Sequence, residues 1–191
     1  MPKSIFTEIQ SKKLKKLGIL NTLDLLLHLP LRYEDKTKIN LIKDIRPGAM
    51  FQIEAKIISV EVTYRPRKNL IIHVSDKSGD LKLRFLHFYS SQVKKFDEGK
   101  ILRVYGEIKS NSFLFEMIHP QYEFVLLDTP LKNFYSPIYG STEGLSQKTI
   151  FKLVQKVFEK EDFVNQYPDY FENLYKKRNL PSLFEALKLI H

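Results

Sequence analysis

The sequence predicts an α+β protein in which a five-stranded barrel lies between two helical segments. Alternating and β-branched residues begin near Ala49 and recur in five stretches, MFQIEAKIISVEVTY, LIIHVSD, LKLRFLHF, ILRVYGEIK and FLFEMIHPQYEFVLL. The third and fourth stretches are separated by SSQVKKFDEG, which is long enough for a short helix. Five antiparallel strands with a helical link at this position are typical of the OB-fold, a small Greek-key barrel. A five-stranded barrel with another strand order is the alternative interpretation.

The segment before the barrel, residues 1–46, is predicted to be a helical hairpin. Ser11 is a candidate cap for a first helix through KKLKKL, and Gly18 ends that helix where a left-handed residue is favoured. A second helix is expected to begin at Asn21 or Thr22, run through LDLLLHL and stop at Pro30. The leucine spacing gives two short apolar faces, so the hairpin is expected to pack on a larger body.

The barrel itself is expected to occupy residues 47–128, with polar connections between its strands. RPRKN at residues 65–69 forms a basic loop, and SGD at 78–80 and SNS at 110–112 form tight hairpins. In the third strand, Leu83 and Phe85 are expected to face the core, because Lys82 and Arg84 occupy the alternate positions.

Residues 129–191 are expected to form an extended strap followed by helices. The strap, TPLKNFYSPIYGSTEGLSQ, contains prolines and glycines rather than a periodic pattern. Ser146 is the predicted cap of a helix with one apolar face, and Pro181 opens a last helix through SLFEALKLI.

Composition favours a polyanionic partner. The 191 residues include 31 Lys and Arg against 22 Asp and Glu, which gives a net charge of +9 and a pI near 9.5. The absence of cysteine excludes disulfides and thiolate metal sites. No apolar run approaches the roughly 20 residues that span a bilayer, and the N-terminus has no apolar signal segment. A soluble, cytoplasmic protein without membrane contacts is therefore expected.

The sequence contains no recognisable catalytic motif. The glycine-rich stretch YGSTEGLSQK lacks the Gly-Lys pair of a phosphate-binding loop, so this chain is expected not to hydrolyse ATP. The five histidines are far from one another and from carboxylates at metal-ligand spacing. We therefore predict no catalytic residue, no metal and no cofactor within this chain.

The residues that can bind nucleic acid fall in two places. OB-folds bind oligonucleotides on the face of the second and third strands and with the loops beside it. In the first of these loops Arg65, Arg67 and Lys68 can neutralise phosphates, and Pro66 limits the entropy that the loop loses on ordering. The second such loop, SNS, is too short to wrap a strand.

The second place is the end of the third strand and the link that follows it. Here the polar strand face carries Arg84. Five further candidates follow it along the chain, an imidazole, two aromatic rings and two ammonium groups: His87, Phe88, Tyr89, Lys94 and Lys95. Exposed rings can stack on bases. The alternative is that Phe88 and Tyr89 pack under the strap or the leading helices, since aromatic residues at strand ends often cover the mouth of a barrel.

Several longer segments go beyond this general pattern. LLLHLPLRYEDKT (25–37), LRFLHF (83–88), FEMIHPQYE (115–123), SPIYGSTEGLSQ (136–147) and LPSLFEALKLIH (180–191) follow one another along nearly the whole chain. In order and spacing they resemble the N-terminal wedge region of RecG-type branch-migrating DNA helicases. Tyr33, Glu34 and Asp35 of the first motif and His119 and Pro120 of the third are interpreted as structural joints.

This resemblance implies that the chain is part of a longer ATP-dependent helicase. Two motor domains, which bind ATP and Mg²⁺, would follow it, and residues 47–128 would be an OB-fold wedge. Such a wedge lies at the branch point of a replication fork or Holliday junction and splits strands during fork reversal and branch migration, in DNA recombination and repair. A monomer acting at the nucleoid is expected.

One departure from the family pattern concerns the stacking residues. Relatives often carry Phe-Phe-Asn after the third strand, in some cases with a Pro-Tyr pair, where this sequence has Phe85, Leu86 and His87. Stacking would then fall to Phe88 or Tyr89. His87 would contact a phosphate when protonated or cap the turn as Asn does. A free-standing OB-fold module for single-stranded DNA or RNA, and a protein-interaction domain whose charge is incidental, are the alternative functions.

Overall fold

The computed structural model describes residues 5–65, 67–111, 114–126, 128–159 and 172–191 of the chain. These residues form a mixed α+β structure, as predicted. Its elements in chain order are α1 (Glu8–Lys15), α2 (Thr22–Leu27), β1 (Arg32–Glu34), a 3-10 helix (Ile42–Asp44), β2 (Met50–Thr63), β3 (Asn69–Asp76), β4 (Gly79–Phe85), α3 (Ser90–Val93), β5 (Ile101–Asn111), β6 (Leu114–Ile118), β7 (Gln121–Val125), β8 (Ser136–Ile138), α4 (Gln147–Phe158), α5 (Glu172–Lys177) and α6 (Leu183–Ile190).

The described chain divides into two compact units, each with its own apolar core. One unit contains the described residues up to Glu34 and those from Ser136 onward; the other contains Asp35–Tyr135. The predicted boundaries, 46/47 and 128/129, define three segments instead. The two helical segments that the sequence separates therefore contribute to a single unit.

The second unit is built on a six-stranded sheet. Its order is β2-β3-β4-β6-β5-β7, and β2 also pairs with β5. Pairing is antiparallel except between β4 and β6. The sequence predicted five strands, and the difference is that FLFEMIHPQYEFVLL forms two strands, β6 and β7. The break falls at His119, whose φ of 50° turns the backbone out of the extended region.

Side chains from β2 to β6 fill the core of this unit. Leu83 and Phe85 are buried, as the alternation predicted, and Phe96 from the link after α3 packs beside Phe85. The predicted short helix between the third and fourth predicted strands is α3. Pro66 of the basic loop and Ser112 of the predicted SNS hairpin lie outside the described residues.

Asp76 organises the turn between β3 and β4. Its Oδ1 accepts from the backbone N and the hydroxyl of Ser78, both at 2.6 Å, and from Gly79 N at 3.1 Å, while its Oδ2 accepts from Ile42 N at 2.9 Å. Burial by itself raises the pKa of this carboxyl, but the hydrogen bonds from Ser78, Ile42 and Gly79 outweigh it and hold the pKa below its ordinary value. The turn thus consists of residues 77 and 78, slightly before the predicted one, and it anchors the 3-10 helix.

In the first unit, local sequence signals fix the helix ends. Thr7 caps α1 in a capping box with Gln10, so the helix begins before Ser11, which was predicted as its cap and lies inside it. Gly18 has a φ of 77°, and Asn21 caps α2, both as predicted. Ser146 caps α4, which buries Ile150, Leu153, Val154 and Val157. Ser182, next to the predicted Pro181, caps α6.

Two further features of this unit were not predicted. The RYE segment of the first family motif forms β1, which pairs antiparallel with β8 inside the expected strap. Tyr139, directly after β8, stacks between His28 and His191 and donates its hydroxyl to His191 Nδ1 at 3.0 Å. Burial, with a smaller contribution from Tyr33, raises the pKa of Tyr139. Among the described residues, no helix has the length and apolar character to cross a membrane.

Candidate nucleic-acid interface

The basic loop predicted between the first two barrel strands connects β2 to β3. Arg65, Arg67 and Lys68 are all exposed there. Asn69 Nδ2 donates to Arg67 O at 2.8 Å, which fixes the end of the loop where β3 begins. Three cations are thus held on a short connection, with their charged groups in solvent.

The connection from β4 to α3 lies against this loop. Lys68 Nζ lies 5.0 Å from the ring centre of Phe88, a distance typical of a cation–π contact. Phe88 is half-buried and packs on the sheet core, whereas Tyr89, the residue that precedes α3, has 81% of its side chain exposed. The fold therefore brings the predicted cations and rings together at one end of β2, β3 and β4.

His87 and His119 form a second pair at this end. Their rings stack with centres 5.9 Å apart, and His87 is exposed. His119 Nε2 accepts from Leu86 N at 3.1 Å, and His119 N donates to Arg84 O at 2.8 Å. His119 thus fixes the backbone on which His87 and Phe88 are carried, which agrees with its predicted structural role.

Sequence reasoning missed one ring in this region. Tyr64 follows the last residue of β2 and has 71% of its surface exposed. The alternation of β2 suggested a strand residue, but the strand ends at Thr63. We call the groups at this end of the sheet the loop-end cluster. All are exposed except the half-buried Phe88, and they are Tyr64, Arg65, Arg67, Lys68, His87, Phe88 and Tyr89.

Arg84, the predicted contact on the face of the sheet, has an intramolecular partner. Its Nη2 lies 2.8 Å from Oε2 of Glu116, a buried carboxylate on the parallel neighbour β6, and Lys82 Nζ lies 3.9 Å from the same oxygen. The carboxylate neutralises part of the positive charge on this face. Phosphate binding by Arg84 would have to compete with Glu116.

Lys94 and Lys95, the last predicted contacts, lie at the far end of α3. Both are exposed, and they border an open groove of about 760 Å³ whose lining also includes Lys100, Ile101, Phe124 and Leu126. We call this the α3 groove. The predicted site residues therefore occupy the loop-end cluster, the face of the sheet and the α3 groove, rather than one patch.

The chemistry available in the loop-end cluster is stacking combined with phosphate neutralisation. Guanidinium and ammonium groups release counterions from the phosphates that they contact, and exposed rings stack on unpaired or terminal bases. Metal chemistry has no support there, since among the described residues no three His, Asp or Glu side chains form a group that would hold an ion.

Comparison with known families identifies the chain. The sequence model of the RecG wedge domain matches residues 4–160, which is most of its length. The chain belongs to the RecG wedge domain family. The resemblance carried by the sequence motifs is thereby confirmed.

Curated relatives of this wedge-domain chain share one description, ATP-dependent DNA helicase RecG. The protein from Haemophilus influenzae is 38% identical over 183 residues, which are 95% of this chain and 26% of the relative. The protein from Thermotoga maritima is 36% identical over 154 residues, which are 77% of this chain and 19% of the relative. The chain thus spans about a quarter or less of the length of these relatives.

A solved structure extends the likeness to the fold of the wedge-domain chain. It is described as RecG bound to a three-way DNA junction, and it matches 97% of this chain and 26% of its own chain with a TM-score of 0.73 and 29% sequence identity. The match covers both compact units, so each unit has a counterpart in that protein.

Proposed function

We propose that this chain is the wedge region of a RecG-type ATP-dependent DNA helicase and that it binds branched DNA at replication forks and Holliday junctions. The whole protein would use it in fork reversal and branch migration, and so in recombination and repair. The observation that best supports this proposal is the loop-end cluster. There the fold places three exposed cations at the same end of the sheet as the exposed rings of Tyr64 and Tyr89, and Lys68 lies over the ring of Phe88. The solved relative described as bound to a three-way junction supports the same substrate class.

The placement of charge favours a branch point over a long single strand. The cations of the loop-end cluster are exposed, whereas Lys82 and Arg84 on the face of the sheet are engaged by Glu116. A strand lying along the face would meet a surface whose positive charge Glu116 partly neutralises. A duplex end pressed against the loop-end cluster meets both the cations and the rings, as strand separation requires.

We further propose that five of the strands form an OB-fold barrel. Support comes from the pairing of β2 with both β3 and β5, and of β6 with both β4 and β5. The α3 helix, in the link between β4 and β5, lies at the position where the OB-fold carries its helix.

The ATPase activity of such a helicase would be carried by motor domains outside this chain. The chain has no Gly-Lys phosphate-binding loop, so we expect it to be inactive alone, with ATP and Mg²⁺ bound elsewhere in the whole protein. We also propose that the protein acts as a monomer on the nucleoid, in the cytoplasm and without membrane contacts.

Fluorescence anisotropy on forked, duplex and single-stranded DNA of equal length tests the proposal. We expect the chain to bind the fork most tightly, and the affinity to fall with rising salt. Equal or tighter binding of the single strand would contradict the wedge function and favour the alternative, a free-standing OB-fold module for single-stranded DNA or RNA. A lack of binding to all three at low salt would favour a protein-interaction domain.

A further inference from the structure

The α3 groove combines an apolar floor with a cationic border. Its lining includes the side chains of Ile101, Phe124 and Leu126, which we call the apolar floor, and three lysines, which we call the cationic border: Lys94, Lys95 and Lys100. Ligand sites are commonly concave and mostly apolar, with a few polar groups that orient the ligand, and have volumes of roughly 300 to 1,000 Å³. The groove, at about 760 Å³, falls within this range.

Hydrogen bonds hold the backbone at Leu126, an exposed residue of the apolar floor. Leu126 has 81% of its surface in solvent, and both of its backbone polar groups are hydrogen-bonded: its N donates to Thr129 Oγ1 at 2.9 Å, and the same hydroxyl donates to Leu126 O at 2.8 Å. The carbonyl of Thr129 in turn accepts from Nη2 of the buried Arg103 at 2.7 Å. Arg103 also donates to Pro130 O at 3.2 Å. This network holds the backbone that carries the exposed side chain of Leu126.

Phe124 supplies a ring beside this leucine. It is 41% exposed, and its buried side packs on Phe96 and Tyr122, with ring centres 5.5 and 6.0 Å away. Lys100 Nζ lies 5.4 Å from the centre of the same ring. A phosphate bound by Lys100 therefore places its attached base within reach of Phe124.

The charges around the groove favour an anionic ligand. Lys100 pairs with Asp97 at 2.5 Å, and Glu98 is exposed nearby, while Lys94 and Lys95 add two further cations. Two further carboxylates are close in sequence to the groove: Glu123 on β7, which pairs with Arg103, and the exposed Asp128, two residues after Leu126. Carboxylates thus offset much of the positive charge, and Lys94 and Lys95 remain as exposed cations on the lining of the groove.

The helix α3 connects the groove to the loop-end cluster. Tyr89 precedes α3 and Lys94 follows it, so at 1.5 Å per residue the two lie roughly 8 Å apart along the helix axis, or two to three nucleotides at 3.4 Å each. Gln92 Nε2 donates to Tyr122 OH at 3.1 Å, which ties α3 to β7. Lys100 Nζ donates to Lys95 O at 3.1 Å, which ties the segment after α3 to the residue just before β5.

We propose that the α3 groove holds an unpaired nucleotide of a single-stranded DNA arm, with its base against Phe124 and Leu126 and its phosphates beside Lys94, Lys95 and Lys100. This site rests on the proposed function and adds to it a second contact, beyond the loop-end cluster. A strand that leaves the branch point along α3 reaches the groove after a few nucleotides.

The test compares forks that share one duplex and one junction but differ in a single-stranded arm, which is either absent or roughly 4 to 16 nucleotides long, the range of OB-fold site sizes. Affinity is measured by fluorescence anisotropy for the unsubstituted chain, Phe124→Leu and the matched control Phe134→Leu. Phe134 is likewise partly exposed, and Lys132 Nζ lies 5.9 Å from its ring centre, but it is not part of the groove. Circular dichroism checks that both variants fold.

We expect the arm to increase the affinity of the unsubstituted chain and of Phe134→Leu, and Phe124→Leu to lose this increase, with about five-fold weaker binding of the longest arm. Binding of the fork without an arm stays unchanged in all three. Lys94→Gln lowers the salt dependence of the arm contribution by about 0.7 in log–log slope.

Four results would overturn the proposal. An arm that adds nothing to binding, or an increase that Phe124→Leu retains, removes the groove as a DNA site while fork binding leaves the proposed function intact. If amide NMR signals of the groove respond to an acidic peptide with an aromatic residue and not to the arm, the occupant is a protein. If no fork binds at all, the proposed function fails together with the groove site.

Discussion

Two neighbouring aromatic residues after β4 differ in their surroundings. Phe88 packs on the core of the sheet and lies under Lys68, whereas the side chain of Tyr89 extends into solvent. A ring that is already packed contributes to stability as well as to binding. Tyr89 is therefore the cleaner probe of stacking, and Phe88 is the residue whose loss also affects the fold.

We predict that Tyr89→Ala weakens fork binding about five-fold or more without altering its salt dependence, because it removes a stacking ring and no charge. Arg67→Gln, at another exposed position, lowers the salt slope by about 1 because one phosphate contact is lost. Anisotropy at several salt concentrations measures both. Normal binding by a folded Tyr89→Ala variant would show that this ring does not stack on DNA.

Glu116 controls how much charge the face of the sheet presents. Its buried carboxylate engages both Arg84 and Lys82, and the amide of Glu116→Gln cannot neutralise them. We predict that Glu116→Gln tightens binding to single-stranded DNA more than to forks and increases the salt slope for single strands. Glu107→Gln, which removes an exposed carboxylate from β5, controls for net charge. Equal effects of the two variants would contradict a specific role for Glu116.

The sequence predicted which residues belong to the candidate site better than it predicted their contacts and their exposure. The sequence placed Arg65, Arg67 and Lys68 on a loop, since a polar run between two strands has little alternative. It could not show that Arg84 meets Glu116, because that contact depends on the parallel pairing of β4 with β6, more than 30 residues apart. Tyr64 was missed because its exposure depends on where β2 ends.

At the scale of elements, the strands were predicted well because alternation is a local signal. The division between β6 and β7 was not predicted: a positive φ at His119 is supported by hydrogen bonds to Arg84 and Leu86, which come from a distant strand end. The short pair β1 and β8 was missed for a similar reason. Each has three residues, too few for periodicity, and each is stabilised by the other across about 100 residues of chain.

The end of α6 contains a histidine whose protonation opposes folding. His191 Nε2 donates to Leu26 O at 2.7 Å, and Nδ1 lies 3.0 Å from Tyr139 OH, which can donate to it when the ring is neutral. Burial lowers the pKa of His191 below its ordinary value of 6.5, the hydrogen bond to Leu26 O raises it by less, and the charge of His28 lowers it further. The unfolded chain therefore takes up a proton at a higher pH than the folded chain does.

We predict that the first unit loses stability as the pH falls below about 6.5, and that this residue adds no pH dependence above it. Thermal unfolding between about pH 7 and pH 5 measures the effect, and His191→Gln, whose amide still donates and accepts, flattens it. Asp35, Asp76 and Glu185 have pKa values below their ordinary range, so these carboxyls titrate at lower pH. An unchanged pH profile in His191→Gln would assign the effect to another group.

For the whole molecule, the two units differ in how the chain forms them. Asp35–Tyr135 is continuous in sequence, has its own core and contains every residue of the loop-end cluster and the α3 groove. The other unit is assembled from both ends of the chain, around a core that includes Leu14, Leu25, Tyr139 and Ile150. All the DNA contacts that we propose therefore lie in the continuous unit.

The two units can be separated by a deletion that the strand pairing suggests. Glu34 and Ser136 are opposite each other in the antiparallel pair of β1 and β8, so an Asn-Gly turn replacing residues 35–135 would close a two-residue hairpin. We predict that this shortened chain folds cooperatively and does not bind forks, whereas the fragment 35–135 folds and binds forks with nearly the affinity of the full chain. Circular dichroism and anisotropy on both proteins measure this. Fork binding by the shortened chain, with none by a folded 35–135 fragment, would move the interface to the helical unit.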